Sequence, residues 1–340
     1  MGLVLVSGDA PLQALRLAEA AASQGDGRLV DLSGEGLLSG AEHFDPLREL
    51  EQRWPPLRQS LASWLEFLQL QAPQPHQLPL IPGLEDVLRS LFLVDQLKAA
   101  GDRDLVVLLP ACGQAQRFLQ GIISSPDLVQ QVYEPLIDRL AQLKDTVTRV
   151  EGLLNLGLPD SSSLELPAAL LEDMELLRQR LLDPAGCELQ LAMPADQAEQ
   201  PLLARRIAGF YLSGVQLSRL WLHGPLASEL LAEQRQRWQP SHLLHTEQDP
   251  QFQAAAGAWL TLPWQGEAAI SHSSDPDGTA VTSLLLPGLS REQLQVQRAG
   301  HALQVRLGPL RRGYPLPSSC LDRTPCGAKV VGRHLEVRFR

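Results

Sequence analysis

The sequence predicts an α/β protein whose mostly parallel sheet carries helices on both faces and is followed by a small C-terminal all-β sandwich. Three observations carry this prediction. Short apolar runs alternate with helix-length segments over roughly the first 245 residues, which is typical of a parallel sheet. A turn-rich segment with several Gly and Ser follows at 265–280. Beyond it, apolar residues recur at every second position, as in antiparallel strands with one buried face.

The N-terminal half begins with a short apolar strand over residues 3–8 and a helix from about 14 to 23. Helical periodicity also covers 45–70, where Pro55 and Pro56 should interrupt the helix. The other predicted elements of this region are a strand at 28–32, an extended piece at 78–81, a helix at 83–100, a strand at 104–109 and leucine-rich helices at 126–156 and 165–183.

The remaining predicted α/β elements are shorter. They are a strand at 187–193, a helix ending near 209, a strand at 217–223, a helix at 226–236 and a strand at 242–244. In the C-terminal part, period-two alternation predicts strands through Leu294–Val296, Leu303–Leu307 and Leu335–Phe339. Together these patterns predict domains at 1–262 and 280–340, joined by a linker at 263–279.

Composition describes an ordinary globular protein, with 340 residues, 44% apolar and 20% charged side chains. The sequence has no run of about 18 apolar residues, so no membrane span is expected. No basic segment precedes the first strand, so we expect no secretory signal and a cytoplasmic location. The four cysteines form no Cys-x-x-Cys pair, and His242 and His245 match no standard metal spacing, so no disulfide or metal site is expected.

The net charge of −10 is unevenly distributed. Residues 279–340 contain ten Lys/Arg and three Asp/Glu, so the rest of the chain is strongly acidic. This asymmetry supports a domain boundary. The longest run of adjacent basic residues in the C-terminal part is the pair Arg311-Arg312, which is too short to indicate nucleic-acid binding. We therefore expect the C-terminal part to dock on an acidic surface of its own chain or of a sister chain.

The first strand, loop and helix lie where many α/β proteins bind a triphosphate. Such a loop needs glycines, a Lys for the phosphates and a Ser or Thr for Mg²⁺. Here the segment reads Gly8-Asp9-Ala10-Pro11-Leu12-Gln13-Ala14-Leu15. Pro11 removes an N–H donor, Asp9 adds a repelling charge, and the loop has neither Lys nor Ser/Thr. The chain is therefore not expected to act as a conventional P-loop ATPase.

The C-terminal part carries the most specific resemblance to a known family. It reads Leu-Leu-Leu-Pro-Gly-Leu at 284–289, then a predicted hairpin with an Arg-Arg pair at 303–312, then a closing strand at 335–339. With the preceding α/β part, this order resembles the ArsA/GET family of P-loop proteins, in the cyanobacterial and plastid branch that ends in a domain similar to the α-crystallin fold of small heat-shock proteins. The resemblance implies an ATPase fold that uses ATP and Mg²⁺ and forms dimers.

The resemblance also implies where nucleotide-binding residues should lie. The family loop has the form Gly-Lys-Gly-Gly-Val-Gly-Lys-Thr. Aligned from Gly8, its first Lys falls on Asp9, its phosphate-binding Lys on Ala14 and its Mg²⁺-binding Thr on Leu15. The family's adenine-reading Asn falls on His223. We therefore expect a degenerate nucleotide site with no catalytic residue and no bound cofactor.

A client-binding groove is the second functional prediction. In family members that bind clients, the region matching 126–183 holds a hydrophobic helix, and here two apolar stripes run along it. The alternative is that these stripes bury one another or a dimer partner. The predicted groove residues are Leu128, Val132, Leu136, Leu140, Leu170, Met174 and Leu177.

These observations favour a non-hydrolysing homodimer that binds a hydrophobic peptide or protein partner in the manner of a chaperone. A competing hypothesis is a binder or enzyme that reuses the old cleft for another small ligand through Cys112, Gln114, Arg117 and His223. The sequence also leaves open weak residual ATPase activity and a structural role beside an active paralogue.

Overall fold

The computed structural model describes most of the chain. The described residues are 2–67, 83–129, 166–199, 201–238 and 242–340, with 69, 71–72, 74–75, 134–135, 138–139 and 142. They divide into two compact units. The first unit contains residues 2–43, 100–120 and 179–340, and the second contains the described residues of Phe44–Ala99 and Gly121–Arg178.

A parallel sheet forms the centre of the first unit. Its strands are β1 (Leu3–Gly8), β2 (Arg28–Asp31), β3 (Glu42–His43), β4 (Leu105–Leu108), β5 (Cys187–Pro194), β6 (Leu217–His223) and β7 (Leu243–Thr246). Among the described residues their order is β3-β2-β4-β1-β5-β6-β7, and every neighbouring pair is parallel. The predicted parallel sheet is confirmed, and all its carboxyl ends lie at one edge.

Helices connect the strands, as expected where parallel strands need crossovers. In chain order the described helices are α1 (Pro11–Ala22), α2 (Pro46–Phe67), α3 (Leu84–Ala100), α4 (Cys112–Leu128), α5 (Ala168–Leu182), α6 (Pro201–Leu212), α7 (Ser228–Arg237), α8 (Asp249–Leu260) and the one-turn α9 (Ser318–Leu321).

Strand β1 lies at the centre of the sheet, and its apolar residues Leu3, Leu5 and Val6 are buried. Continuous burial of this kind is typical of a parallel strand that is covered on both faces. On one face, Trp221 stacks on Phe252 of α8 with the ring centroids 3.8 Å apart. The indole Nε1 of Trp221 donates to Thr246 Oγ1 at 2.8 Å, so the buried polar atom is satisfied. Leu17 and Ala18 of α1 join the same core cluster.

The C-terminal part forms two antiparallel sheets. One contains β8 (Ile270–Ser274), β9 (Ala280–Leu285), β13 (Pro325–Val331) and β14 (His334–Phe339), in the order β13-β14-β9-β8. The other contains β10 (Gln295–Ala299), β11 (Ala302–Leu307) and β12 (Leu310–Pro315). The alternate residues of β11 and β14 are buried, which confirms the predicted β sandwich.

Strand β8 was not predicted. It lies within the segment expected as a linker at 263–279 and pairs with β9 along its full length. Its residues are mostly exposed and polar, so the sequence lacks the apolar alternation that marks a strand. Backbone pairing at the sheet edge forms it.

The domain boundaries predicted at 1–262 and 280–340 stay a prediction.

The second unit is helical and corrects the expectation for Pro55 and Pro56. Helix α2 continues through both prolines, whose rings are exposed. Burial of Trp54 on the other face anchors the helix. Arg53 adds ion pairs at 3.0 Å to Glu49 within α2 and 2.6 Å to Asp95 of α3. These tertiary contacts outweigh the local cost of the prolines.

Two further predictions differ from the observed elements. Helix α4 covers Cys112–Leu128, of which only 126–128 were predicted as helical, and α8 was not predicted at all. The alanines of α8 hid its helical periodicity. The extended piece predicted at 78–81 and most of the helix predicted at 126–156 lie outside the described residues.

Candidate functional site

Among the described residues, a small cavity lies at the edge where a nucleotide would bind. It lies at the carboxyl ends of β1 and β4 beside the start of α1, and its volume is about 100 Å³. Pockets for small molecules usually measure about 300–1,000 Å³. Most of its lining is apolar or small: Gly8, Pro11, Ala14, Leu15, Leu37, Leu108, Leu109, Pro110 and Ala111, with Ser33, Glu35 and Gln114 as the polar members.

Gly8 is required by the sheet itself. A Cβ at this position would lie 2.0 Å from the carbonyl oxygen of Ala192, its partner on β5. The close approach of the two backbones therefore demands glycine. The one glycine that remains from the phosphate-loop pattern has a structural reason independent of any ligand.

Asp9 is paired within its own chain. Nε of Arg206, on α6, donates to Asp9 Oδ2 at 3.1 Å, and the Asp9 side chain is only 14% exposed. The resemblance assigns a lysine to this position, but Asp9 places a negative charge there, and Arg206 neutralises it. This carboxylate is not free to act on a ligand in the cavity.

Ala14 and Leu15 belong to the packing of α1. Ala14 is 4% exposed and contributes to the core cluster that contains Val6 and Leu17, while Leu15 packs against the same cluster. A lysine ammonium at position 14 would begin in this apolar environment, where an unpaired charge is costly. These residues do not fit ATP and Mg²⁺, because they offer neither a cation for phosphate nor a hydroxyl for the metal.

Asp31, at the end of β2, is a buried carboxylate that sequence reasoning missed. Its Oδ1 accepts hydrogen bonds from the amide of Ser33 at 2.8 Å and its hydroxyl at 2.6 Å. Its Oδ2 lies 3.3 Å from Nδ1 of His43 on β3. The sequence signal was an Asp at a strand end followed two residues later by Ser, a turn-forming pair. These bonds fix the loop that contributes Ser33 to the cavity.

Cys112 is not placed to act as a nucleophile. It is fully buried, and its Sγ lies 3.8 Å from Sδ of Met193. Burial strongly raises the pKa of the Cys112 thiol, and the negative charge of Asp9 raises it further. The group therefore stays a thiol, whereas nucleophilic chemistry needs a thiolate.

His223 ends β6 in a different part of the same edge. Its ring meets Trp221 edge-on with centroids 5.5 Å apart. Burial lowers the pKa of His223, and the nearby charges of Arg16 and His245 lower it further. Arg16 in turn pairs with Asp249. His223 does not line the small cavity.

The structure therefore separates the residues predicted to share a cleft. Gly8, Ala14, Leu15 and Gln114 line the small cavity, whereas Cys112 is buried and Arg117 lines a different cavity. Cys112 and His223 line neither of these two cavities.

The predicted client groove is only partly covered by the described residues. Val132, Leu136, Leu140 and the side chain of Leu128 lie outside them. On α5, Leu170 and Met174 are partly exposed, whereas Leu177 is fully buried and is therefore not available on the surface. Leu176, which the stripe omitted, is 37% exposed on this helix.

The part of the chain that the structure describes holds neither a metal cluster nor a membrane-spanning helix. None of its His, Cys, Asp and Glu side chains gather in groups of three or more that could hold a metal ion. None of its helices combines the length and apolar character that crossing a membrane requires.

Comparison with known proteins adds to this geometry. Residues 277–339, which contain β9–β14, match a family model described as the HSP20-like domain found in ArsA. Over 306 residues the chain is 27% identical to Uncharacterized protein SCO2128 of Streptomyces coelicolor, with 83% of this chain and 77% of that protein covered.

Proposed function

We propose that this ArsA-like protein, which ends in an HSP20-like domain, is a non-hydrolysing, chaperone-like protein that binds a hydrophobic peptide or protein partner and acts as a cytoplasmic homodimer. The observation that carries the proposal is the packing of the α1 start. Ala14 lies in the core, and Asp9 is paired with Arg206. The scaffold is retained while the groups that would bind phosphate and metal are replaced.

The size and polarity of the small cavity support the same proposal. A triphosphate carries several negative charges and needs many donors to replace its water. The cavity of about 100 Å³ presents mainly aliphatic side chains, and its one charged member is the acidic Glu35. Reuse of this cleft by another polar ligand is disfavoured for the same reason.

Exposed apolar side chains support binding of an apolar partner. Leu12 and Leu37, which border the sheet edge described above, are 61% and 54% exposed. On the helical unit, Leu176 of α5 is also exposed. We assign the Leu12 and Leu37 edge to a second copy of the chain and the surface of α5 to the client.

Titration calorimetry with ATP and Mg²⁺ tests the loss of ATPase function. We expect no heat of specific binding at micromolar protein and no phosphate release above the buffer control. Micromolar affinity together with measurable phosphate release would overturn the proposal.

Suppression of client aggregation tests the binding function. The full chain should lower the light scattering of a heat-unfolding test protein, and Leu176→Ser should weaken this effect at least twofold. The matched control is Glu172→Gln, which changes a neighbouring exposed residue of α5 without removing apolar surface. Equal activity of Leu176→Ser and the native protein would remove α5 from the proposed surface.

A further inference from the structure

A second cavity lies between the α/β part and the sandwich, inside the first unit. Its volume is about 220 Å³. Helix α4 contributes Arg117, helix α6 contributes Arg205 and Arg206, and the β11–β12 turn closes the cavity with Leu307, Pro309 and Leu310. Three guanidinium-bearing side chains thus surround a space smaller than a usual drug-sized pocket.

Among the described residues, a single carboxylate partly balances the charge of this cavity. Asp9 pairs with Arg206 through Nε. Arg117 and Arg205 are exposed and have no carboxylate partner among the described residues. One carboxylate therefore faces three arginines, in a protein whose net charge is −10. Like charges held together raise the free energy of the empty site and favour an anion between them.

Two glycines leave room for the arginine side chains. A Cβ on Gly113, the second residue of α4, would lie 3.1 Å from Nη1 of Arg206. A Cβ on Gly308, whose φ is +58°, would lie 3.2 Å from Nη2 of Arg205. A side chain at either position would press on a guanidinium group.

The backbone and a buried amide complete the cradle. Gly113 lies in the first turn of α4, and the N-terminal end of a helix carries partial positive charge. Gln116 is buried on the cavity wall, and its Nε2 donates to the carbonyl oxygen of Arg206 at 2.5 Å. This bond fixes α6 against α4 and so holds Arg205 and Arg206 in place.

We infer that this cavity binds a phosphate group, either as the free ion or on a small phosphorylated molecule. Arginine forks match the oxygens of phosphate with paired N–H donors, and the volume accommodates one or two phosphate groups without a large attached body. The site is separate from the degenerate nucleotide edge, so the inference does not depend on the proposed function.

Calorimetric titration of the full chain with inorganic phosphate and with pyrophosphate tests the site. Sodium chloride holds the ionic strength constant, because exposed arginines respond to any salt. The variants are Arg117→Gln and Arg205→Gln. The control is Arg235→Gln, at an exposed arginine on α7 that does not line the cavity. The melting temperature of each variant, measured without phosphate, checks that the variant is folded. If one of the two cavity variants is destabilised, the other still tests the site.

We expect saturable binding that weakens about tenfold or more in each cavity variant and is unchanged in Arg235→Gln. Stronger binding of phosphate than of pyrophosphate would identify the free ion as the ligand, and the reverse order a phosphorylated molecule. No heat beyond the chloride control, or equal binding by Arg117→Gln, overturns the inference.

A parallel titration with ATP separates this inference from the proposed function. ATP binding that disappears in Arg117→Gln, without hydrolysis, would place its phosphates in this cavity. ATP binding and hydrolysis that survive this variant would overturn the proposed function, while the phosphate titration alone would still decide the inference.

Discussion

Asp9 and Arg206 form an ion pair that links the loop after β1 to helix α6, with Arg206 Nε 3.1 Å from Asp9 Oδ2. The same arginine lines the second cavity. The aspartate therefore has two effects: it anchors the loop in place of a ligand, and it removes part of the positive charge that the cavity offers to an anion. Its substitution separates the two effects.

Asp9→Asn should lower the free energy of unfolding by about 1–2 kcal/mol, because the pair is largely buried but not fully desolvated. Urea denaturation measures the change. Asp26→Asn, at an exposed turn, is the matched control and should change stability by less than about 0.5 kcal/mol. In the same variant phosphate affinity should rise, since Arg206 loses its internal partner. A stable Asp9→Asn protein with unchanged phosphate affinity would contradict both roles of the pair.

Gly8→Ala should be among the most destabilising single-methyl additions in the chain. The new Cβ would lie 2.0 Å from the carbonyl oxygen of Ala192, so β1 and β5 must separate. We expect a loss of about 3 kcal/mol or more in urea denaturation. Gly25→Ala is the control, because a Cβ there meets nothing within 4 Å. Similar stability of the two variants would show that Gly8 is not required by strand pairing.

A lysine at position 14, where the resemblance assigns one, should not create nucleotide binding. Ala14→Lys introduces an ammonium group into the core formed with Val6 and Leu17, and we expect a loss of about 2–4 kcal/mol. Glu19→Lys, on the exposed side of the same helix, should be nearly neutral. Denaturation and ATP titration are measured together. A stable Ala14→Lys protein that binds ATP would contradict the proposed loss of nucleotide binding.

The sequence predicted the sheet and the sandwich because both depend on local periodicity. A continuous apolar run identifies β4 as a strand of the parallel sheet. Period-two alternation identifies β11 and β14 as strands of the sandwich. Strand β8 and helix α2 were harder. The first depends on pairing with β9, and the second depends on contacts that outweigh Pro55 and Pro56.

The candidate site was less accessible to sequence reasoning. The missing lysine and hydroxyl could be read directly at Ala14 and Leu15. The partner of Asp9 could not, because Arg206 is 197 residues away in the chain. The second cavity combines residues of α4, α6 and β12, and no local pattern brings Arg117 together with Arg205. Only the tertiary structure shows which charges share a space.

Thiol labelling checks the environment of Cys112. Cys112, Cys187 and Cys320 are buried, whereas Cys326 is exposed on β13. Burial also raises the pKa of the Cys112 and Cys187 thiols, which keeps them protonated. A disulfide reagent at mildly alkaline pH should therefore label one thiol rapidly and all four only after denaturation. Cys326→Ser should abolish the rapid phase. Rapid labelling of Cys112 in that variant would instead show that Cys112 is accessible and could act as a nucleophile in the competing hypothesis of a reused cleft.

Two histidines, His223 at the end of β6 and His242 just before β7, predict how stability depends on pH. Burial lowers the pKa of both His223 and His242 in the folded protein, with Arg16 adding to the effect at His223 and Arg219 at His242. The unfolded chain therefore takes up these protons first. Stability should fall as the pH drops below about 6.5, the ordinary histidine value, and the loss should level off once the pH lies below the folded pKa values.

Urea denaturation from pH 8 to pH 5 measures this slope in the native protein and in His223→Gln. The substitution should flatten the decline, because the glutamine does not titrate. Gln253→Ala, at an exposed residue of α8 that does not titrate, is the control and should leave the slope unchanged. An equal decline in His223→Gln and the native protein would show that burial of His223 contributes nothing to the pH dependence, and the acid sensitivity would then be assigned to other groups.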